Sequence, residues 1–88
     1  MLKIYDFFAT WCGPCKLLKK NLEKLENVDI SYFDIEENED LCDKYEVRNV
    51  PTLVFLNEDN VIGKEVGAKS PAQLNDLISK YNEILSNN

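Results

Sequence analysis

The chain has 88 residues, of which 44% are apolar, and this length predicts one small domain over residues 1–88 with a single core. Sixteen acidic residues against ten basic ones give a formal charge of −6. Such an acidic balance argues against nucleic acid or an anionic membrane surface as a partner.

The first predicted element is a strand over residues 2–9, which are apolar at nearly every position, as in a central strand covered on both faces. The stretch is too short for a membrane span or a secretory signal, so we expect a cytoplasmic protein. Asp6 interrupts the apolar run. A buried carboxyl group is costly unless it stays protonated or finds partners. Asp6 is therefore either a buried acid near a functional site or an edge-strand residue that faces water.

The segment Trp11 to Lys16 follows this strand and places Cys12 and Cys15 three residues apart at the start of a helical pattern. Free backbone N–H groups and the helix dipole at the first turn favour the thiolate of Cys12 and lower its pKa. Cys15 lies one turn further in, where it can resolve a mixed disulfide formed at Cys12. Gly13 allows a tight turn and Pro14 fixes φ, so this pair sets the distance between the sulfurs.

Half of a zinc site and a structural disulfide are the two other uses of a Cys-x-x-Cys segment. A zinc site needs further ligands, and the chain has no histidine and only Cys42 as a third cysteine. An odd number of cysteines also fits a secreted disulfide framework poorly. The ring closed by Cys12 and Cys15 is too short to be a useful staple. The segment therefore favours redox chemistry without a metal or another cofactor.

A helix, a strand and a short helix come next. Apolar residues at helical spacing predict an amphipathic helix from Cys15 to near Asn27. Alternation over residues 28–35 predicts a strand, and the acidic run after it leads into a helix over residues 39–45. Cys42 faces inward on that helix, and we interpret it as a small buried apolar residue rather than a reactive thiol.

The last elements are a β-hairpin and a long helix. Residues 53–56 and 61–66 are apolar-rich runs separated by a turn cluster, which predicts the hairpin. Gly67 follows it, where the backbone needs conformational freedom or a close approach. Residues 70–73 supply an N-cap serine, a proline at N1 and a capping-box glutamine, so a helix follows with an apolar stripe over residues 74–85.

The element order is therefore β-α-β-α-β-β-α. A right-handed crossover makes the first two strands parallel, and the hairpin adds antiparallel strands. We expect an α/β fold with a four-stranded mixed sheet in the order 2-1-3-4. The first and third helices should cover one face, and the second helix should cover the other.

Three segments of the chain, residues 6–16, 44–52 and 66–68, together resemble the thioredoxin family. The resemblance covers essentially the whole chain and implies the thioredoxin fold. It implies that Cys12 is the attacking thiol, Cys15 the resolving thiol and Asp6 the buried acid that relays a proton to or from Cys15.

The resemblance also implies a docking groove for client proteins beside the two cysteines. Pro51 would be a cis-proline next to the disulfide, and the backbone of Val50 would pair with the client chain. The residues expected to bind clients are Trp11, Gly13, Pro14, Val50, Pro51, Gly67 and Ala68.

A redox-active electron carrier with protein-disulfide reductase activity is the function that the resemblance implies. Its partners would be a thioredoxin reductase, either flavin–NADPH or ferredoxin-linked, and client proteins that contain disulfides. The carrier would act as a monomer.

Tyr32 is a departure from the family pattern. Counting back from Pro51, it occupies the position where bacterial thioredoxins usually carry a lysine beside the buried aspartate. Since Tyr32 supplies no charge, we predict that Asp6 holds its proton well into the neutral range.

Other functions use the same fold. A glutaredoxin-like reductase would use glutathione, but its usual motif differs and the acidic chain offers no obvious glutathione clamp. A disulfide isomerase or oxidant usually has a histidine between the cysteines, and here the two residues are Gly13 and Pro14. A non-catalytic accessory subunit of a larger enzyme would need only the docking surface.

Overall fold

The computed structural model describes residues 1–87, and Asn88, the last residue of the predicted domain, lies outside them. The elements follow the predicted order. Their bounds are β1 (Leu2–Phe8), α1 (Gly13–Glu23), β2 (Asp29–Asp34), α2 (Glu39–Lys44), β3 (Thr52–Asn57), β4 (Asn60–Val66) and α3 (Pro71–Ser86).

The four strands form one mixed sheet in the order β2-β1-β3-β4. β1 runs parallel to β2 and antiparallel to β3, and β4 is antiparallel to β3. This confirms the predicted topology. β1 is therefore an interior strand, and Asp6 lies in register between Tyr32 on β2 and Leu53 on β3.

Side chains alternate between the two faces of β1, because successive residues of a strand point in opposite directions. Leu2 and Ile4 enter the larger hydrophobic core, which contains Leu18 of α1 and Leu74 of α3. Phe7 points the other way, into a smaller core that α2 covers. Helices α1 and α3 thus share one face of the sheet and α2 takes the other, as predicted. Asp6 has the same parity as Ile4, so its carboxyl group faces α1.

α1 is shorter than predicted. The helix ends at Glu23, and the N–H of Lys24 bonds the carbonyl of Asn21 at 3.3 Å. Asn27 then adopts a left-handed conformation with φ of 60°, which ends the turn and starts the approach to β2. Leu25 still packs against the larger core from this turn. The apolar pattern therefore continued past the helix, and the expectation that the helix runs to near Asn27 is wrong.

A tight turn at Glu58, with φ of 57°, connects β3 to β4. The pairing contains an irregularity: Phe55 pairs with Gly63, and Leu56 pairs with Val61. Ile62 is therefore an extra residue on β4, which makes a β-bulge at the edge of the sheet.

The capping box of α3 forms as the sequence predicts. The Ser70 hydroxyl accepts the Gln73 N–H at 3.2 Å, and the Gln73 side chain accepts the Ser70 N–H at 2.9 Å. Pro71 occupies the first helical position, where its missing N–H costs nothing. None of the helices formed by residues 1–87 has the length and hydrophobicity to cross a bilayer.

Candidate active site

Cys12 and Cys15 form a disulfide at the start of α1, just after β1 ends, and their Cα atoms are 5.3 Å apart. A turn brings the chain from the strand into the helix, in which the Cys12 N–H donates to the carbonyl of Ala9 at 3.1 Å. The protein is therefore in its oxidised state. The pairing is the one that a two-electron dithiol–disulfide cycle requires.

Cys12 is the N-cap residue of α1, and its sulfur accepts the N–H of Cys15 at 3.2 Å. The first turn of a helix has N–H groups without helical partners, and the sulfur takes up one of these. Pro14, in the first turn, has no N–H to donate. A negative charge on Cys12 would be stabilised by the same N–H and by the helix dipole.

Both sulfur-bearing residues are nearly covered, with 6% of Cys12 and 3% of Cys15 exposed. Ala9 completes a small apolar cluster with the two cysteines, and Phe8 and Val50 pack against this cluster. Cys15 is the more deeply placed of the two, as predicted. The pair is therefore accessible only from its rim.

Three exposed residues form that rim on the helix side, namely Trp11, Gly13 and Pro14. Trp11 leaves 69% of its surface exposed, which is unusual for so large an apolar side chain. At Gly13 a Cβ atom would find no heavy atom within 4 Å, and its φ is not left-handed. The backbone at Gly13 thus does not itself require glycine, and the expectation that Gly13 permits a tight turn stays a prediction. What the glycine does is leave open space above the helix terminus.

Pro51 is buried, and the Val50–Pro51 peptide bond is cis, as the resemblance implied. Val50, the residue before it, packs against the cluster that contains the two cysteines. The N–H of Gly67 donates to the carbonyl of Pro51 at 2.9 Å. Gly67 has φ of 98°, a conformation that favours glycine. The second and third sequence segments are thus joined directly, and the exposed Ala68 lies beside this junction.

Lys69 holds the loop that carries Gly67. Its ammonium donates to the carbonyl of Val66 at 2.8 Å and to that of Gly67 at 3.4 Å. Asn21, a buried residue of α1, donates its side-chain N–H to the carbonyl of Lys69 at 3.0 Å. Sequence reasoning missed both residues, because Asn21 is a polar residue at the border of the apolar stripe of α1 and nothing local marks its partner.

A groove of about 530 Å³ runs from Trp11 towards α2. Its lining consists of Trp11, Ile35, Glu39, Cys42, Asp43, Val47, Arg48, Asn49 and Val50. Of the predicted client-binding residues it contains Trp11 and Val50. The contribution of α2 was missed, although Glu39, Cys42 and Asp43 have the i, i+3, i+4 spacing of one helix face.

Cys42 is a free, half-buried thiol that packs against the smaller core and also lines this groove. Burial raises the pKa of the Cys42 thiol, and the nearby carboxylates of Asp43 and Glu39 raise it further. A neutral thiol is a poor nucleophile. Across residues 1–87, no three Cys, Asp or Glu side chains converge as a metal site would require.

Asp6 is completely buried, and neither of its carboxyl oxygens has a hydrogen-bond partner among residues 1–87. Its interior position on β1 overturns the edge-strand alternative. Burial raises the pKa of Asp6 from 3.8 to about 7, and the Lys19 ammonium opposes part of that rise. The raised value agrees with the expectation that Asp6 holds its proton into the neutral range.

A cleft of about 240 Å³ connects Asp6 with Cys15. Its lining consists of Asp6, Phe8, Ala9, Thr10, Cys15, Lys16 and Lys19. Tyr32 lies beside Asp6 on the next strand, and the Lys19 ammonium is 5.2 Å from the centre of the Tyr32 ring. Burial raises the pKa of the Tyr32 hydroxyl, and the charges of Asp6 and Glu23 add to the effect. Tyr32 therefore stays neutral.

Comparisons with known proteins agree with this geometry. The family model for thioredoxin matches residues 2–80. The chain is 39% identical over 84 residues to a thioredoxin of Chlamydia pneumoniae, with 91% of this chain and 82% of the relative covered. It is 37% identical over 81 residues to a thioredoxin of Bacillus subtilis, with 86% and 78% covered.

Solved structures give the same result. A mutant thioredoxin of Halobacterium salinarum superposes with a TM-score of 0.84 at 35% identity, covering 91% of this chain and 74% of that one. Mitochondrial thioredoxin 3 of Saccharomyces cerevisiae, in its oxidised form, gives a TM-score of 0.81 at 36% identity, with 90% and 77% covered. Sequence and backbone therefore point to the same group of proteins.

Proposed function

The chain belongs to the thioredoxin family and is a thiol–disulfide oxidoreductase, and from this we propose that it reduces disulfides in client proteins with Cys12 as the attacking thiol and Cys15 as the resolving thiol. The observation that carries the assignment is the position of Cys12 as N-cap of α1, where its sulfur accepts the N–H of Cys15. That environment favours a thiolate at Cys12 once the disulfide is reduced.

The reaction proceeds in two exchanges. The thiolate of Cys12 attacks one sulfur of the client disulfide, forms a mixed disulfide and releases the other client sulfur as a thiolate. Cys15 then loses its proton and attacks the Cys12 sulfur, which restores the Cys12–Cys15 disulfide and releases the second client thiolate. Two electrons pass to the client, and the protein returns to the oxidised state described above.

Asp6 is the proposed acceptor of the Cys15 proton. Both residues line the same cleft, so a proton can pass between them directly or through solvent in that cleft. A carboxyl group whose pKa is about 7 is divided between its acid and base forms near neutral pH. The same group can therefore take a proton during resolution and return one when the disulfide is reduced again.

Client docking uses the rim around the cysteines. The exposed ring of Trp11 and the half-buried Val50 lie on the groove that leads to α2, and they form part of its apolar lining. The Val50 backbone would pair with an extended client segment. The loop at Gly67 and Ala68, which is bonded to Pro51, would bound the other side.

Membership of the family implies a reductase and disulfide-containing clients as partners. The proposed reductase is a thioredoxin reductase, either flavin–NADPH or ferredoxin-linked, because the chain needs two electrons per cycle from outside. Neither a glutaredoxin-like function nor a purely accessory role is favoured by any contact in the site.

Insulin reduction with a small dithiol as the electron source tests the proposal. Wild type should catalyse the reaction, and Cys12→Ser should not. Cys15→Ser should attack once and accumulate a covalent adduct that added thiol releases. Catalytic turnover by Cys15→Ser without added thiol would reverse the roles of the two cysteines. Equal behaviour of wild type and Cys12→Ser would instead favour the accessory-subunit alternative.

A further inference from the structure

We propose that the Lys19 ammonium, supplied by α1, is the counter-charge of Asp6 and governs how fast Cys15 resolves the mixed disulfide. This inference rests on the proposed function and deepens it, because it adds a positioning residue to the proton transfer at Cys15. Lys19 touches neither the client nor the sulfurs in this scheme. It acts through the carboxyl group.

The carboxyl group of Asp6 has neither solvent nor a hydrogen-bond donor among the described residues to stabilise a negative charge. It is fully buried, and no atom of the described chain offers it a hydrogen bond. A carboxylate in such a place depends on a nearby positive charge. Among the groups that line its cleft, Lys16 and Lys19 are the cations.

The geometry of α1 favours Lys19 over Lys16. Lys19 follows Cys15 by four residues, so the two side chains lie on the same side of the helix, one turn apart. Asp6 and Cys15 line the cleft with Lys19. The ammonium is thus placed at the same opening through which a proton must move between Asp6 and Cys15.

Tyr32 holds the ammonium there. Asp6 and Tyr32 are register partners on adjacent parallel strands, so their side chains stand side by side on the face that α1 covers. The Lys19 ammonium lies 5.2 Å from the centre of the Tyr32 ring, which is within the range of a cation–π contact. Tyr32 therefore supplies no charge itself but positions one above the neighbouring carboxyl.

Other ionisable groups face this site from the surrounding elements. α1 contributes Cys15 and the exposed Lys16, and Glu23 acts on Tyr32 from the same helix. β2 contributes Tyr32, and β3 contributes the uncharged Leu53 opposite Asp6. Burial raises the pKa of Asp6, and Lys19 is the cation that lowers it.

Removal of the Lys19 charge should make Asp6 a weaker acid. Less of it would then be ionised near neutral pH, so less base would be available to deprotonate Cys15. Resolution of the mixed disulfide should slow at neutral pH and recover at higher pH. Attack by Cys12 on a client should not change, since that step does not use Asp6 as a base.

Carbon-13 NMR titration of the Asp6 carboxyl tests the role of the Lys19 charge in wild type and in Lys19→Met. The matched control is Lys20→Met, which removes an exposed charge one residue further along α1. We expect Lys19→Met to move the Asp6 midpoint upward by about one pH unit and to slow single-turnover resolution at neutral pH about three- to ten-fold. Lys20→Met should leave both unchanged. Tyr32→Lys added to Lys19→Met should bring the midpoint back down.

An unchanged Asp6 midpoint in Lys19→Met would overturn the proposal, as would an equal upward movement in Lys20→Met, which would indicate a general field effect. Failure of the double variant to lower the midpoint would overturn it as well. The titration needs no client protein, so it can fail or succeed independently of the proposed function. That function fails if wild type does not catalyse the reduction of insulin.

Discussion

The backbone N–H of Cys15 points at the sulfur of Cys12 from 3.2 Å, inside the first turn of α1. The N–H belongs to the helix, so we expect it to keep its place when the disulfide is reduced. An N–H directed at a sulfur stabilises the thiolate more than the thiol, and the helix dipole adds to this. The two cysteines therefore have different environments, since the sulfur of Cys12 accepts a hydrogen bond that the backbone of Cys15 donates.

The first prediction is a low pKa for Cys12. Titration of the reduced protein by thiolate absorbance should place the Cys12 midpoint about one to two pH units below the ordinary thiol value of about 8.5. The measurement uses Cys15→Ser with Cys42→Ala, so that Cys12 is the remaining thiol. A midpoint at or above the ordinary value would contradict the role of the helix terminus.

The second prediction concerns stability and the buried carboxyl of Asp6. Its pKa is about 7 in the folded chain, against an ordinary 3.8 when the chain is unfolded. Between these values the folded state keeps a proton that the unfolded state releases, so the free energy of unfolding should fall as pH rises through this window. Above it the loss is complete, and it amounts to roughly 4 kcal/mol.

Asp6→Asn removes this titration and provides the measurement. The difference in free energy of unfolding between Asp6→Asn and wild type, obtained from urea denaturation of the oxidised proteins, cancels the other titrating groups. The difference should shift in favour of Asp6→Asn by roughly 4 kcal/mol between about pH 4 and about pH 8. A constant difference across that range would show that Asp6 titrates normally.

The third prediction compares two glycines of the rim. Gly67→Ala forces a side chain into a backbone with φ of 98° at the residue bonded to Pro51, and should cost about 1–3 kcal/mol of stability. Gly13→Ala meets open space at a helix start, and should be neutral or stabilising by up to about 1 kcal/mol. Thermal unfolding of both variants and of wild type measures the two changes in stability. Equal losses would mean that the conformation of Gly67 does not require glycine.

The fourth prediction concerns Gly63 on β4, where a Cβ atom would clash with the hydroxyl oxygen and the adjacent ring carbons of Tyr81. That ring stacks on Phe55 with centroids 4.3 Å apart and donates its hydroxyl to Glu65 at 2.9 Å. Gly63→Ala must displace it and should cost about 1–3 kcal/mol. In a Tyr81→Leu background the same substitution should cost much less, and equal costs in the two backgrounds would argue against the clash.

Local signals were sufficient to predict the topology. Runs that are apolar at most positions identified the two interior strands, and the capping box from Ser70 to Gln73 fixed the start of α3. The end of α1 was misplaced because Leu25 keeps the apolar spacing of the helix while lying in the turn beyond it. A periodic pattern reports which side chains reach the core, and it does not report whether the backbone between them is still helical.

The site was predicted less completely, because part of it depends on approach between distant segments. Lys19 appeared on the polar face of α1, and only the packing of that helix on the sheet brings its ammonium to Tyr32. Asn21 is likewise linked to Lys69 across 48 positions of the chain. Motif spacing was sufficient to predict the two cysteines that pair, whereas the residues that contact the site from distant segments carry no local signature.

The bulge at Ile62 has a consequence for how molecules of this protein meet one another. β4 is an outer strand of the sheet, and an outer strand offers unpaired N–H and C=O groups to which a second chain could add. The extra residue breaks the regular spacing of those groups and twists the strand, while Lys64 and Glu65 would bring charge into any such pairing. The fold thus protects this edge of the sheet against edge-to-edge aggregation, and the rim around Val50 is left as the proposed place for pairing with an extended client.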